Sequence, residues 1–328
     1  MSLKNLLAVL IFLVGPLFGS TLRAGELNVD FKTTPPSKLL RAFVDPTDLS
    51  LLITDTGGRP IEQGTVAIRL EAPRPGRFFS TDFPLVEGTV LSEMRLPLRQ
   101  GRANWRQLFP IRGAYRLSLE VVSGDGSKAR KTFVFDVRES QKKWLALAVF
   151  SAGLVVLGFV AGRVFTGARA SAASVMAAGA LLIGSPGMSR AQQPAGMAAL
   201  QVEPATVGQP SEVRWRLPGD SAAGGRAGLL TLTITHLEKK KVVFAVEKIA
   251  VAGEWSMKFH FPDGGEYRVA AVGNVPGLAP VRNEQVIHVV GVEPPAGAMV
   301  PVLSFFIALI AVGLGLGRWS KLRAAVPI

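Results

Sequence analysis

Phe109-Pro110-Ile111-Arg112-Gly113-Ala114-Tyr115-Arg116-Leu117 and Phe261-Pro262-Asp263-Gly264-Gly265-Glu266-Tyr267-Arg268-Val269 are two copies of one pattern, F-P-x-x-G-x-Y-R-[LV]. They hold the only two tyrosines in the 328 residues, and a tryptophan precedes each copy, Trp105 and Trp255. Self-similarity of this kind marks two copies of one structural unit.

Working outward from each copy, apolar residues recur at every second position. Tyr115, Leu117, Leu119 and Val121 alternate with Arg116, Ser118 and Glu120. Phe133, Phe135 and Val137 follow the same rule, as do Val66, Ile68 and Leu70, and Met94, Leu96 and Leu98. Around the second copy, Leu230, Leu232 and Ile234 alternate with threonines, and Trp255, Met257 and Phe259 alternate with Ser256, Lys258 and His260. Period two over short runs predicts half-buried antiparallel strands. Thr56-Gly57-Gly58 and Gly124-Asp125-Gly126 are hairpin turns. The expected fold is mainly β with transmembrane helices, its β parts being two immunoglobulin-like or cupredoxin-like antiparallel sandwiches. The first is placed at 25–141 and the second at 191–296. Tyr115 and Tyr267 each follow a turn glycine by two residues, where a tyrosine corner forms, so both tyrosines and both tryptophans are read as structural.

Four apolar runs punctuate the chain. Leu6–Phe18 begins after Lys4 and ends at Gly19-Ser20, so residues 1–24 are read as a signal peptide or N-terminal anchor. Trp144–Gly162 and Ala170–Ser189 make a two-helix transmembrane hairpin over 142–190. Read alone, the second of these also has the form of a signal peptide, which suggests a fusion of two secreted units. Ala298–Gly317 gives residues 297–328 a C-terminal membrane helix and a short basic tail. Lys4, Arg163, Arg169, Arg318, Lys321 and Arg323 fall on one side when the runs alternate. That side is cytoplasmic by the positive-inside rule. The expected location is the bacterial inner membrane, multi-pass, with both β modules periplasmic. Gly158 and Gly162 have the spacing of a helix-packing pair, and Ala311 and Gly315 share it.

The net charge of +13 is uneven. Residues 21–143 hold 20 basic against 14 acidic residues, and residues 190–297 hold 11 against 10. The six remaining basic residues flank the apolar runs, so the charge reads as membrane topology and not as nucleic-acid binding. Arg95, Arg99, Arg102, Arg106, Arg112 and Arg116 lie in a stretch without an acid. The first four are the candidate contact for a partner or for lipid head groups. There is no cysteine, and the three histidines all fall in the second module. His236 continues an apolar face and His260 is placed on the solvent face. With Met257 they are the one candidate metal set, for copper, and alternation sets them apart. No cofactor is assigned. No nucleophile elbow, phosphate loop, zinc-protease helix or dinucleotide fingerprint occurs, so the chain is read as non-enzymatic.

Phe259–Val269 resembles the last hairpin of the YtkA-like and FixH-like periplasmic β-sandwich modules. Asp55-Thr56-Gly57-Gly58-Arg59-Pro60-Ile61 is similar to a strand end of the same families. The resemblance covers about 30 residues per module and implies membrane-anchored immunoglobulin-like units often associated with copper handling or oxidase assembly. Two outer β units around a helical hairpin also resemble the B subunit of particulate methane and ammonia monooxygenases. That family binds copper through an amino-terminal histidine and a later His-x-His. This chain has neither, so the likeness implies scaffolding. The expected function is binding, as an accessory or assembly subunit of a membrane complex of respiratory or redox type. The alternatives are a periplasmic copper-handling protein and a non-catalytic subunit of a monooxygenase-like enzyme.

Overall fold

The computed structural model describes residues 27–76, 80–165, 200–217, 227–277, 279–293 and 296–324. The expected signal peptide and the second run of the expected hairpin lie outside them. Among the described residues fourteen strands and two long helices are seen, and every ladder is antiparallel.

The first seven strands are β1 (Asn28–Thr34), β2 (Thr47–Thr54), β3 (Gln63–Glu71), β4 (Val90–Arg99), β5 (Arg102–Gln107), β6 (Gly113–Ser123) and β7 (Lys128–Val137). They pair as β1–β2–β5 and β4–β3–β6–β7. The second seven are β8 (Leu200–Val202), β9 (Pro210–Arg216), β10 (Gly228–His236), β11 (Lys241–Val251), β12 (Glu254–His260), β13 (Gly265–Asn274) and β14 (Val281–Val289). Their order is β8–β9–β12 and β11–β10–β13–β14, the same scheme again. The alternation explains the inward faces. Val66, Ile68 and Leu70 are buried on β3, as are Tyr115, Leu117, Leu119 and Val121 on β6 and Leu230, Leu232 and Ile234 on β10. Gly113 and Gly265 open β6 and β13 at φ of 124° and 125°, a backbone that only glycine adopts without strain.

The halves are not separate bodies. β5 pairs with β11 (Trp105↔Val246, Arg106↔Ala245, Gln107↔Phe244), and β4 pairs with β12 (Ser92↔Phe259, Glu93↔Lys258, Met94↔Met257). The offset between the tyrosines, 267 − 115 = 152, converts one ladder into the other residue by residue. Ser92 corresponds to Phe244, and Gln107 to Phe259. The two halves therefore meet about a pseudo-two-fold relation, like the isologous interface of a dimer. Two seven-stranded sheets result, β1–β2–β5–β11–β10–β13–β14 and β7–β6–β3–β4–β12–β9–β8, joined at Arg99↔Arg102 of the β4–β5 turn. One buried apolar cluster draws on both halves. The sequence reading placed separate sandwiches on either side of a helical hairpin. The structure covers the open edges of β4, β5, β11 and β12 with one another, and unpaired strand edges are what such pairing removes.

α1 (Gln141–Val164) follows β7, and α2 (Ala296–Ala324) follows β14. Gly158 meets Gly313, and Gly162 meets Gly317, so the helices run in the same direction. A Cβ on Gly158 or Gly162 would lie 2.4 Å from the carbonyl oxygen of Ile310 or Leu314. On Gly313 or Gly317 it would lie 2.3 or 2.2 Å from that of Val155 or Phe159. Nothing larger than glycine permits that approach. The partner pair is thus Gly313/Gly317. Gly315, two residues round the helix from the seam, touches nothing. Phe150 against Phe306, at 5.3 Å, extends the seam toward the β body.

Candidate functional site

The repeated motif builds the same corner twice. The Tyr115 hydroxyl donates to the Ile111 carbonyl at 2.7 Å and accepts from the Ile111 N–H at 3.1 Å. The Tyr267 hydroxyl donates to the Asp263 carbonyl at 3.1 Å. Phe109 and Phe261, the first residues of the motif, pack edge-on against these rings at 4.8 and 4.9 Å. Burial raises both phenol pKa values, Tyr267 with a contribution from Asp263. The tryptophans are not equivalent, because Trp105 stands four residues before its phenylalanine and Trp255 six. Trp105 corresponds to Met257, and both are buried where the halves meet. Trp255 corresponds to Ala103 and donates its indole N–H across to the Arg95 carbonyl at 2.9 Å.

His236, at the end of β10, is buried, and its ring lies 4.6 Å from that of Tyr267. Burial, then the nearby Lys239, lowers its pKa. His260 was expected on the solvent face. It is instead 2% exposed, because Phe259, His260 and Phe261 are all buried where β12 ends and the alternation stops. Its Nε2 accepts the Gly208 N–H at 3.0 Å, and burial pushes its pKa down to about 4. His236 and His260 lie in different sheets, and Met257 sits in the β4–β12 ladder. Among the described residues no group of three His, Cys, Asp or Glu side chains could hold a metal ion.

The arginine cluster disperses. Arg95 and Arg99 are exposed on β4, on the face opposite buried Met94, Leu96 and Leu98. Arg102 and Arg106 belong to β5, in the other sheet, and Arg106 pairs with Asp48 at 2.8 Å. Lys239 and Lys241, at the turn between β10 and β11, reach the first half. Lys241 Nζ donates to the carbonyls of Phe43 and Val44, and Lys239 lies 4.5 Å over the Phe43 ring while pairing with Asp263.

Arginines converge elsewhere. Where β7 hands over to α1, an open cleft of about 1020 Å³ is lined by Arg41, Arg69, Arg74, Arg112, Arg116 and Arg138, with Glu71 and Glu139. Glu71 serves Arg69 at 3.0 Å and Arg116 at 3.9 Å, and Glu139 serves Arg112 at 3.6 Å. The Arg112 guanidinium lies 5.4 Å over the Trp144 ring on the first turn of α1. Sequence reasoning singled out Arg112 and Arg116 and missed the rest. Arg41 and Arg138 are 97 positions apart and meet only through a backbone bridge.

No protein-family model and no curated protein matches the chain. Among solved structures, it is similar to a CARDB domain from Pyrococcus furiosus in complex with di-metal ions, at 14% identity. That match covers 35% of this chain and 89% of the domain, with a TM-score of 0.22. Latent PorU of Porphyromonas gingivalis matches at 10% identity over 83% of this chain and 25% of its own, TM-score 0.26. Trypsin-activated alpha-2-macroglobulin of Escherichia coli matches at 10% identity over 81% and 18%, TM-score 0.26. The chain spans a quarter or less of the latter two proteins.

Proposed function

We propose that this chain is a non-enzymatic, membrane-anchored scaffold whose two immunoglobulin-like halves form one periplasmic body, acting as an accessory or assembly subunit of a membrane complex. The observation that carries the reading is the parallel α1–α2 pair. Leu145, Val149, Val156, Leu157 and Val160 on α1 are exposed, as are Leu303, Ile307, Val312 and Leu316 on α2. In water that would be an apolar patch far larger than a soluble surface carries. Both helices are long and apolar enough to cross a bilayer. Both leave the β body at their N-terminal ends. At the far end Lys321 donates to the Arg163 carbonyl, beside Arg318 and Arg323, as a cytoplasmic boundary requires. A parallel pair separates Phe165 from Leu200 by the length of α1, about 36 Å at 1.5 Å per residue. The expected span Ala170–Ser189 would make the return.

Reporter fusions after residues 140 and 295 should both read as periplasmic. A cytoplasmic signal at either sinks the topology. A mild-detergent pull-down of the full chain should bring down subunits of one membrane complex in fixed ratio, and recovery of the chain alone removes the accessory role.

A further inference from the structure

We propose that the arginine cleft between the first half and α1 is a binding site for a phosphate group, carried by a lipid head group or free in solution. The lipid source rests on the membrane reading above; the phosphate chemistry does not. The six cleft arginines against two glutamates leave a net charge of 6 − 2 = +4. Three arginines share the two carboxylates. Among the described residues Arg41, Arg74 and Arg138 have no acidic partner.

Arg41 and Arg138 face each other across a parallel backbone bridge, fixed by Ala42 N–H to Arg138 O at 2.9 Å and Arg138 N–H to Leu40 O at 3.0 Å. Like charges set directly opposite are destabilising unless something lies between them. The non-bridging oxygens of a phosphate group accept the planar guanidinium fork from several directions, which is the chemistry several converging arginines serve. Gln141 and Trp144 place the first turn of α1 on the cleft wall. That turn holds no acidic residue, and the Ser140 side chain does not cap it. The positive end of the helix dipole adds to the potential there.

The second half shows that the fold does not need these charges. By the 152 offset Arg138 corresponds to Val290, Arg112 to Gly264 and Glu139 to Gly291. The equivalent bridge is Thr206↔Val290, uncharged on both sides. Through the ladders, Arg69 and Glu71 correspond to Thr233 and Thr235. Arg116 alone keeps its charge, as Arg268, which pairs with Glu284 at 2.8 Å; the other matched positions are charged only in the first half, at the start of the helix whose first turn holds Trp144. Tryptophan there is suited to the head-group level of a bilayer.

The test uses the full chain and an Arg41→Gln/Arg138→Gln variant, with fold checked by circular dichroism. One arm follows thermal stabilisation by inorganic phosphate in detergent, at ionic strength held constant with chloride. The other compares phosphatidylcholine nanodiscs with and without phosphatidylglycerol. Stabilisation by phosphate, with affinity about tenfold or more weaker in the variant, supports a soluble anion. Stabilisation confined to phosphatidylglycerol discs, and lost in the variant, supports a head group. An unshifted wild type in both arms, or equal shifts in wild type and variant, overturns the site. If the double variant does not fold, Arg74→Gln, exposed and without an acidic partner among the described residues, replaces it under the same criteria. The detergent arm is independent of topology, so its failure is separable from failure of the reporter fusions.

Discussion

The two halves share a strand order, a turn glycine and a tyrosine, and differ in what they contribute where they meet. At the positions related by the 152 offset, the second half supplies Phe244 and Phe259 and the first supplies Ser92 and Gln107. The first half carries the arginine cleft and no histidine; the second carries all three histidines, and of the cleft arginines matched above it keeps a charge only at Arg268, the counterpart of Arg116. Backbone geometry is thus set by the repeated scheme, and chemistry has diverged on top of it. Duplication followed by fusion has this outcome, since the isologous edge pairing needs only main-chain groups and buried apolar bulk from either side.

The largest expected effect comes from cutting the comparison in two. Residues 27–138 alone would expose the edges at Ser92–Met94 of β4 and Trp105–Gln107 of β5, and the symmetry of the ladders lets a second copy occupy them. The isolated first half should therefore be dimeric or aggregated by light scattering, while the intact chain runs as a single fused pair. A stable monomer with an undiminished melt would show that the inter-half ladders contribute little.

The next effect separates the halves by pH. The His260 ring is buried, and burial lowers its pKa from 6.5 to about 4. An unfolded histidine binds its proton near 6.5, and the folded one does not until about 4. Stability is full above about pH 6.5 and declines as pH drops toward 4, by roughly 3 kcal/mol from this group. His236 shifts in the same direction. His260→Gln keeps an acceptor and removes the titration, so the stability difference between wild type and variant should shift by roughly 3 kcal/mol in the variant's favour between about pH 6.5 and 4. A difference constant across the range excludes His260 as the source.

Much of this architecture was legible in the sequence, and what was not has physical reasons. The period-two faces of β3, β6 and β10 and the motif around Tyr115 and Tyr267 are local, and local patterns survive into the fold. Edge pairing of β4 with β12 is carried by the backbone, which side-chain alternation does not report. The matching of Trp105 with Trp255 failed because both lie on inward faces but two residues out of register. His260 was misplaced because alternation ends with its strand. The cleft was invisible because Arg41 and Arg138 are remote in sequence, whereas Arg95–Arg106, close in sequence, divides between two sheets at the Gln100-Gly101 turn. Gly158 and Gly162 announced a helix contact, but the partner face depended on a register that only packing reveals.

The tyrosine corners refine the comparison at about 1 kcal/mol. Tyr115 both donates to and accepts from the Ile111 backbone, whereas the Tyr267 hydroxyl bonds only the Asp263 carbonyl, at longer range. Tyr115→Phe should cost about 1–2 kcal/mol, because it also leaves a buried N–H unpaired, and Tyr267→Phe about 1 or less. Thermal melts of the full chain in one detergent measure both. Equal losses would mean that the second bond to Tyr115 adds nothing.

The smallest effect runs against intuition. Among the described residues Ser92 Oγ and Gln107 Oε1 are buried with no hydrogen-bond partner, and each stands opposite a phenylalanine of the other half. A buried polar atom without a partner is costly to desolvate, while an apolar replacement of similar shape removes that cost. Ser92→Ala should therefore leave stability unchanged or raise it by up to about 1 kcal/mol. The corresponding change in the second half, Phe244→Ala, deletes a fully buried ring and should lower stability by about 3–5 kcal/mol. If Ser92→Ala destabilises, its hydroxyl has a partner in solution, and the first half contributes a bond to the interface where the second contributes bulk. Opposite signs at two positions that the 152 offset makes equivalent would show that the halves have divided the interface between them, one supplying apolar mass and the other only its backbone.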